Sequence, residues 1–254
     1  MNTLRTSFWL AGRSLLLVRR LPSVFIPAMV MPLFLLIATA GAFVGISRLP
    51  VFGDASYLRF TVPMAATMGA GFAGINAGMS LARDIEGGFF SRLHVTPIPR
   101  AALVAGPLLA AVIRSIFTTT VVFTAAALGS IGIPGIANTL LIYLLAASFS
   151  VIAAGWSMGV ALRARSMQAV PLMQIVIFLS VFLSVAYTPR EAMKGWLRHF
   201  ADWNPVTRII EASRAAEFNR LDWTITWHGL LAAGGLIALT WAFAARGLVR
   251  IVRE

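Results

Sequence analysis

The residues best placed for chemistry are few, and most of them fail a test of setting. Gly155-Trp156-Ser157-Met158-Gly159 has the frame of a hydrolase nucleophile elbow, which presents its serine on a tight strand-to-helix turn. Here the frame falls inside an uninterrupted apolar run, and His94, His199 and His228 lie in polar segments away from it. Packing by small residues is the better reading, and an intramembrane serine hydrolase is the weakest alternative. The three histidines never pair at ligand spacing along a helix. With no cysteine, thiolate metal sites, disulfides and cysteine catalysis are closed. A phosphate-binding loop needs glycine before its lysine and Ser or Thr after it. Lys194 stands between Met193 and Gly195, so this chain is expected neither to hydrolyse ATP nor to carry a catalytic residue, metal or cofactor of its own.

What remains are two carboxylates, Asp84 and Glu86, and two amides, Asn76 and Gln174, set in a very apolar chain. Of 254 residues 59% are hydrophobic and 12% charged, where soluble domains carry about 25% charged. The mean hydropathy is +0.84. The net charge of +12 comes almost wholly from arginine, placed between long apolar stretches rather than on one face. That pattern fits membrane topology and excludes a nucleic-acid surface.

Six apolar runs emerge, at residues 24–46, 58–82, 101–133, 138–162, 169–187 and 224–245, each able to supply the roughly 20 residues a spanning helix needs, and the third long enough for its first part to project beyond the membrane. The expected fold is an all-α integral membrane protein, a single transmembrane domain over 1–254. Arg13, Arg19 and Arg20 interrupt any signal-peptide core, and residues 1–23 read as an interfacial cytoplasmic lead. Short segments after the second and fourth runs are basic, as are the lead and the tail 246–254, whereas 47–57 and 134–137 hold only Arg48. The positive-inside rule then makes both termini cytoplasmic. Segment 188–223 carries six basic and five acidic residues and reads as external. Met193, Trp196, Leu197 and Phe200, then Val206, Ile209, Ile210 and Ser213, recur at helical spacing. They predict two short amphipathic helices dipping into the outer leaflet, with Arg208, Glu211 and Arg214 opposite the second stripe.

The polar loop Arg83-Asp84-Ile85-Glu86-Gly87-Gly88-Phe89-Phe90-Ser91-Arg92-Leu93-His94-Val95-Thr96-Pro97-Ile98-Pro99-Arg100 has a physical reading of its own. Gly87 and Gly88 permit a sharp exit from the second run, Phe89, Phe90 and Leu93 offer an apolar ridge, and Pro97 with Pro99 stops any short helix. A rigid knob results; the alternative is a basic loop resting on lipid headgroups. Asp84 and Glu86 could form a charge cluster with Arg83, Arg92, Arg13 and Arg19, or be solvated separately.

An acid followed by glycine, a segment bearing Leu and Arg, and Thr96-Pro97 before the next run resembles the loop between the second and third spans of type-2 ABC transporter permeases. Asn204-Pro205, with Glu211 and Arg214 after it, resembles the segment before that family's last span. The likeness runs over nearly the whole chain and is greatest to drug- or lipid-exporting permeases of the daunorubicin/doxorubicin-resistance type. It implies an efflux half-transporter in the bacterial inner membrane, paired with a second copy or a similar permease. Two copies of a separate ATPase would hold ATP and Mg. Asp84, Glu86, Gly87, Phe89, Phe90, Arg92, Leu93 and Pro97 would couple to that ATPase, although Gly88-Phe89-Phe90 is less polar than in many relatives.

A path for hydrophobic cargo would be apolar, and Phe34, Phe72, Asn76, Phe117, Phe178 and Phe182 are its candidate lining; the same residues fit lipid or neighbouring helices. An ion-gradient carrier or channel is the second reading, disfavoured because no acid lies within a run. Ala66, Ala70, Gly74, Gly78 and Ala82 form a small-residue stripe for close packing, and Gly41 with Gly45 and Gly155 with Gly159 repeat its spacing.

Overall fold

A computed structural model describes residues 22–42, 57–88, 100–129 and 131–253, together with residue 12. Of the expected interfacial lead only residues 12, 22 and 23 are described, and residues 89–99 lie outside the described part. Among the described residues the chain is helical and has no strand. In order, α1 is Pro22–Ala42, α2 Tyr57–Glu86, α3 Arg100–Leu128, α4 Ile136–Ala164, α5 Val170–Phe182, α6 Gly195–Trp203, α7 Pro205–Glu217 and α8 Trp223–Arg253. Three stretches among the described residues are long and apolar enough to cross a bilayer, Val104–Leu128, Ile136–Ala164 and Trp223–Val249. The apolar stretches of the α1 and α5 regions, Val30–Thr39 and Met167–Phe182, are shorter.

Two runs end earlier than the hydropathy pattern predicts. The third, expected to reach residue 133, stops as a helix at Leu128, because Gly129, Gly132, Pro134 and Gly135 follow. The fifth, expected to reach 187, leaves the helix at Phe182. The carbonyls of the next residues are taken by side chains: Asn204 binds Leu183 O at 3.2 Å and Arg214 binds Val185 O at 2.8 Å. The last run is longer than expected, continuing to Arg253.

α2 is the axis of the bundle. It is buried along most of its length and touches α1, α3, α4, α5 and α7. The stripe from Ala66 to Ala82 is why: it runs into the bundle, and a methyl group on Gly74 would collide with the Ser150 carbonyl and lie 2.7 Å from Ala153 Cβ. A methyl on Gly78 would meet Ser157 in the same way. Close backbone approach of this kind holds membrane helices together where no hydrophobic force drives association. Gly155 and Gly159 repeat the device between α4 and α8, against Thr240 and Phe243. Gly41 meets no described residue within 4 Å, and Gly45, its partner in the spacing, lies outside the described residues.

Candidate functional site

On a different face α2 meets the short helix α5. Gly71 lies beside Ile177, and the Phe72 and Phe178 rings pack edge to face with centroids 5.2 Å apart. Phe178 stacks on Phe182 at 6.0 Å, and Phe182 on Tyr187 at 5.0 Å, giving a ladder of rings toward one end of the bundle. At the other end Glu86 of α2 reaches Met167 just before α5, so the two helices are antiparallel. Asn76 is one turn on from Phe72, and Gln174 one turn back from Phe178, which puts both amides below the ring pair on the facing sides. Neither amide hydrogen-bonds a described residue. Asn76 is 8% exposed, while Phe72, Gln174 and Phe178 are half-buried. The α2–α5 contact thus presents aromatic rings and, by helical spacing, two amides, with no formal charge on these residues.

Three of the six candidate path residues, Phe72, Phe178 and Phe182, come together here, with Asn76 one turn along α2 from Phe72. Phe34 and Phe117 do not join them; they stand 59% and 57% exposed on α1 and α3, on outward faces. Ser157 is fully buried, its hydroxyl donating to Gly74 O at 3.1 Å and Ala154 O at 3.2 Å, and it serves helix packing. Arg114, a cation inside the Val104–Leu128 stretch, is buried.

At the end of the bundle near Glu86, Arg163 of α4 donates to Phe243 O of α8 at 2.9 Å and lies over the Phe243 ring. Ser166 caps the turn Met167–Ala169 by accepting from Gln168 N at 3.2 Å. Glu86 accepts from Met167 N at 3.2 Å and from the Ser166 hydroxyl at 3.4 Å. An anion beside exposed N–H groups of a helix start is favourable, and it ties the end of α2 to the α4–α5 turn. The described contacts of Glu86 are with this turn; Arg13, Arg19 and Arg92 of the candidate charge cluster lie outside the described residues. Asp84 is half-buried in the last turn of α2, Gly87 closes the helix through its N–H to Arg83 O at 2.9 Å, and Gly88 takes φ +69°, a left-handed value that glycine accepts without strain. Phe89, Phe90, Arg92, Leu93 and Pro97 lie outside the described residues.

The opposite end is tied densely, and α7 does it. Asn204 caps α7 by accepting from Val206 N at 3.0 Å while its amide donates to Ser180 O at 2.6 Å. Arg214, expected to face away from the apolar stripe of α7, instead lies over the Phe60 ring, 3.6 Å from its centroid, and donates to Val185 O and Ala186 O. Burial holds its guanidinium below the usual arginine value, with Glu211 and Tyr57 pulling the other way. Asn219 accepts from Gly135 N at 2.8 Å and from the Asn138 amide at 3.0 Å, reaching the α3–α4 connection. The expected stripe at α6 divides: Met193, just before the helix, is buried and Leu197 half-buried, while Trp196 and Phe200 join Trp203 in an exposed aromatic face. Arg190 pairs with Asp202, and that hydrogen bond holds the Asp202 carboxyl below its ordinary range.

Glu217 is the residue the sequence pattern missed. It follows three charged neighbours on an amphipathic helix and looks like one more solvated acid, yet it is 1% exposed. Arg59 donates to its backbone carbonyl at 2.7 Å and lies 3.8 Å from Oε1. The one sequence signal was a helix terminus followed by Phe218-Asn219, where the chain turns back onto α2 and α4.

Compared with known proteins, residues 6–218 match the family described as ABC-2 type transporter. The chain is 27% identical over 240 residues to a daunorubicin resistance ABC transporter permease protein of Streptomyces coeruleorubidus, covering 92% of this chain and 81% of that one. It is 29% identical over 161 residues, 63% of its length, to a probable doxorubicin resistance ABC transporter permease protein of Mycobacterium tuberculosis, and that match spans 58% of the relative.

Proposed function

The chain belongs to the ABC-2 type transporter family, and from that premise we propose that it is the membrane subunit of an ATP-driven exporter for an uncharged, hydrophobic, ring-bearing compound or lipid. The observation that carries the proposal is the α2–α5 contact, where the Phe72 and Phe178 rings meet edge to face and helical spacing sets Asn76 and Gln174 one turn away. Rings supply an apolar, stacking surface, and amides that hydrogen-bond no described residue favour a cargo able to hydrogen-bond. Family membership supports pairing with a separate ABC ATPase, two copies of which would serve a dimer of permease subunits and hold ATP and Mg. The names of the relatives support drug efflux.

In this reading six helices, α1 to α5 and α8, cross the plasma membrane. Residues 83–100 and both termini face the cytoplasm, and α6 and α7 lie on the outer side. ATP-driven closure of the ATPase pair pushes on the segment that follows Glu86. Glu86 passes the push to the α4–α5 turn through Met167, so α5 moves against α2 and the contact between them changes shape. α2 itself stays fixed to α4 by its glycines.

The test is reconstitution of the chain with its ATPase in vesicles, followed by uptake of uncharged and cationic aromatic amphiphiles into inside-out preparations. ATP-dependent uptake that prefers the uncharged compounds is expected. Uptake that persists without ATP and follows an ion gradient would overturn the proposal.

A further inference from the structure

We propose that Glu217 is a proton-binding site that latches α7 onto the ends of α2 and α4: the protonated carboxyl allows the layer to close, and the ionised one loosens it. The geometry carries this. Glu217 Oε2 is buried with no hydrogen-bond partner among the described residues, and so is the acceptor Asn138 Oδ1 at the start of α4. Both residues belong to one tie-point, since Asn219, two residues past Glu217, binds the Asn138 amide and Gly135 N. A buried carboxylate needs several donors or a close cation to stay ionised. Arg59 lies within ion-pair range of the side chain without hydrogen-bonding it: its Nη2 donates to the Glu217 backbone carbonyl at 2.7 Å, and its Nε stands 3.8 Å from Oε1, so the carboxylate has one cation and no donor among the described residues. A proton removes the charge and turns one oxygen into a donor.

The other charged groups near α7 act elsewhere. Arg208 and Glu211 pair with each other at 3.2 Å, and Arg214 lies over Phe60. Asp202 on α6 is bound to Arg190. On α8 the residues packed toward α7, Thr226 and Gly229, are uncharged and His228 is exposed; α4 presents Asn138, and α5 carries no charged residue. Burial pushes the Glu217 carboxyl up from 4.5 to about 7, with Arg59 the opposing charge. The sign follows from that direction. Because the latched state holds its proton more tightly than a solvated carboxyl does, latching is fully favoured below the ordinary carboxylate range and fades as pH rises through about 7. The ratio of latched to open forms then falls by about 300-fold across the window. Which compartment supplies the proton depends on the topology proposed above; the site itself does not.

Infrared difference titration of the full chain in lipid nanodiscs, without ATPase or cargo, tests the site directly. A protonated-carboxyl band should titrate near neutrality and be missing from Glu217→Gln. A spin label on the exposed Asp222 next to α7 should become more mobile over the same pH range in the wild type, and stay immobile at every pH in Glu217→Gln. Arg59→Met removes the opposing cation and should move the transition to higher pH; this variant and the wild-type titration decide the matter even if Glu217→Gln misfolds. Ionisation of Glu217 complete by pH 5, label mobility indifferent to pH, or a pH response surviving in Glu217→Gln would each overturn the latch. Because neither readout involves transport, their failure is distinct from failure of the exporter reading.

Discussion

Where α2 meets α4, Gly74 and Gly78 bring Ser150 and Ser157 up to the backbone, and Ser157 donates to Gly74 O at 3.1 Å. Where the same helix meets α5, Phe72 and Phe178 hold the helices apart across rings 5.2 Å between centroids. The first contact has no slack, because a glycine seam lacks side chains that could rotate to accommodate a shift. The second sets the rim of one ring on the face of the other, and its side chains, unlike a glycine seam, can rotate to accommodate a shift. One helix is thus clamped on one side and free to work on the other, which is how a fixed wall and a moving wall can be built from a single span.

The largest expected effect comes from breaking the clamp. Gly74→Leu would drive a side chain into the Ser150 carbonyl and Ala153, costing about 3 kcal/mol or abolishing folding. Gly41→Ala, placed where nothing lies within 4 Å, should leave the thermal midpoint of the purified protein almost unchanged. Equal losses from the two would erase the distinction between seam and surface. Next in size is Arg214→Met, which removes two carbonyl ties and the contact over Phe60. About 2–3 kcal/mol should be lost, with faster amide exchange concentrated in residues 183–187.

The α5 side predicts a different signature. Phe178→Ala should leave most of the stability in place while weakening apparent cargo affinity about tenfold, since a ring contact contributes about 1 kcal/mol beyond its area. Phe34→Ala and Phe117→Ala, on outward faces, should transport normally. If all three behave alike in transport assays with the ATPase present, the α2–α5 contact has no special part in the path.

The difference between the two faces was only half visible in the amino-acid order. The seam was legible because glycine and alanine every fourth residue can do little but pack. Helix types were legible from run length and proline placement, and so was the double-helix segment 193–217. The early end of α5 was not, because apolar residues 183–187 look the same whether their carbonyls continue a helix or are captured by Arg214 and Asn204 from far along the chain. Nor was the grouping of Phe72 with Phe178 while Phe34 and Phe117 turn outward, since all four carry the same side chain and only the packing partner separates them. Glu217 stayed hidden because burial of an acid is set by the return of the chain after Phe218, a tertiary fact with no local period.

The smallest structural effect belongs to Glu86→Gln, and it bears on how the moving side is driven. The carboxylate is exposed and accepts from Met167 N and Ser166, so the amide, keeping one acceptor oxygen, retains part of the tie. Loss of the charge beside the helix start costs about 0.5 kcal/mol, too little to disturb the melt. If α5 is moved through this tie, transport should nonetheless drop severalfold while ATP hydrolysis by the partner continues, because the push would arrive at α2 and no longer pass to the α4–α5 turn. Raised salt, which screens an exposed carboxylate, should weaken the wild type toward the variant. Transport at the wild-type rate in Glu86→Gln would mean that α5 receives its movement by another route, and the direct candidate is then the segment after Gly88 pressing on the turn itself.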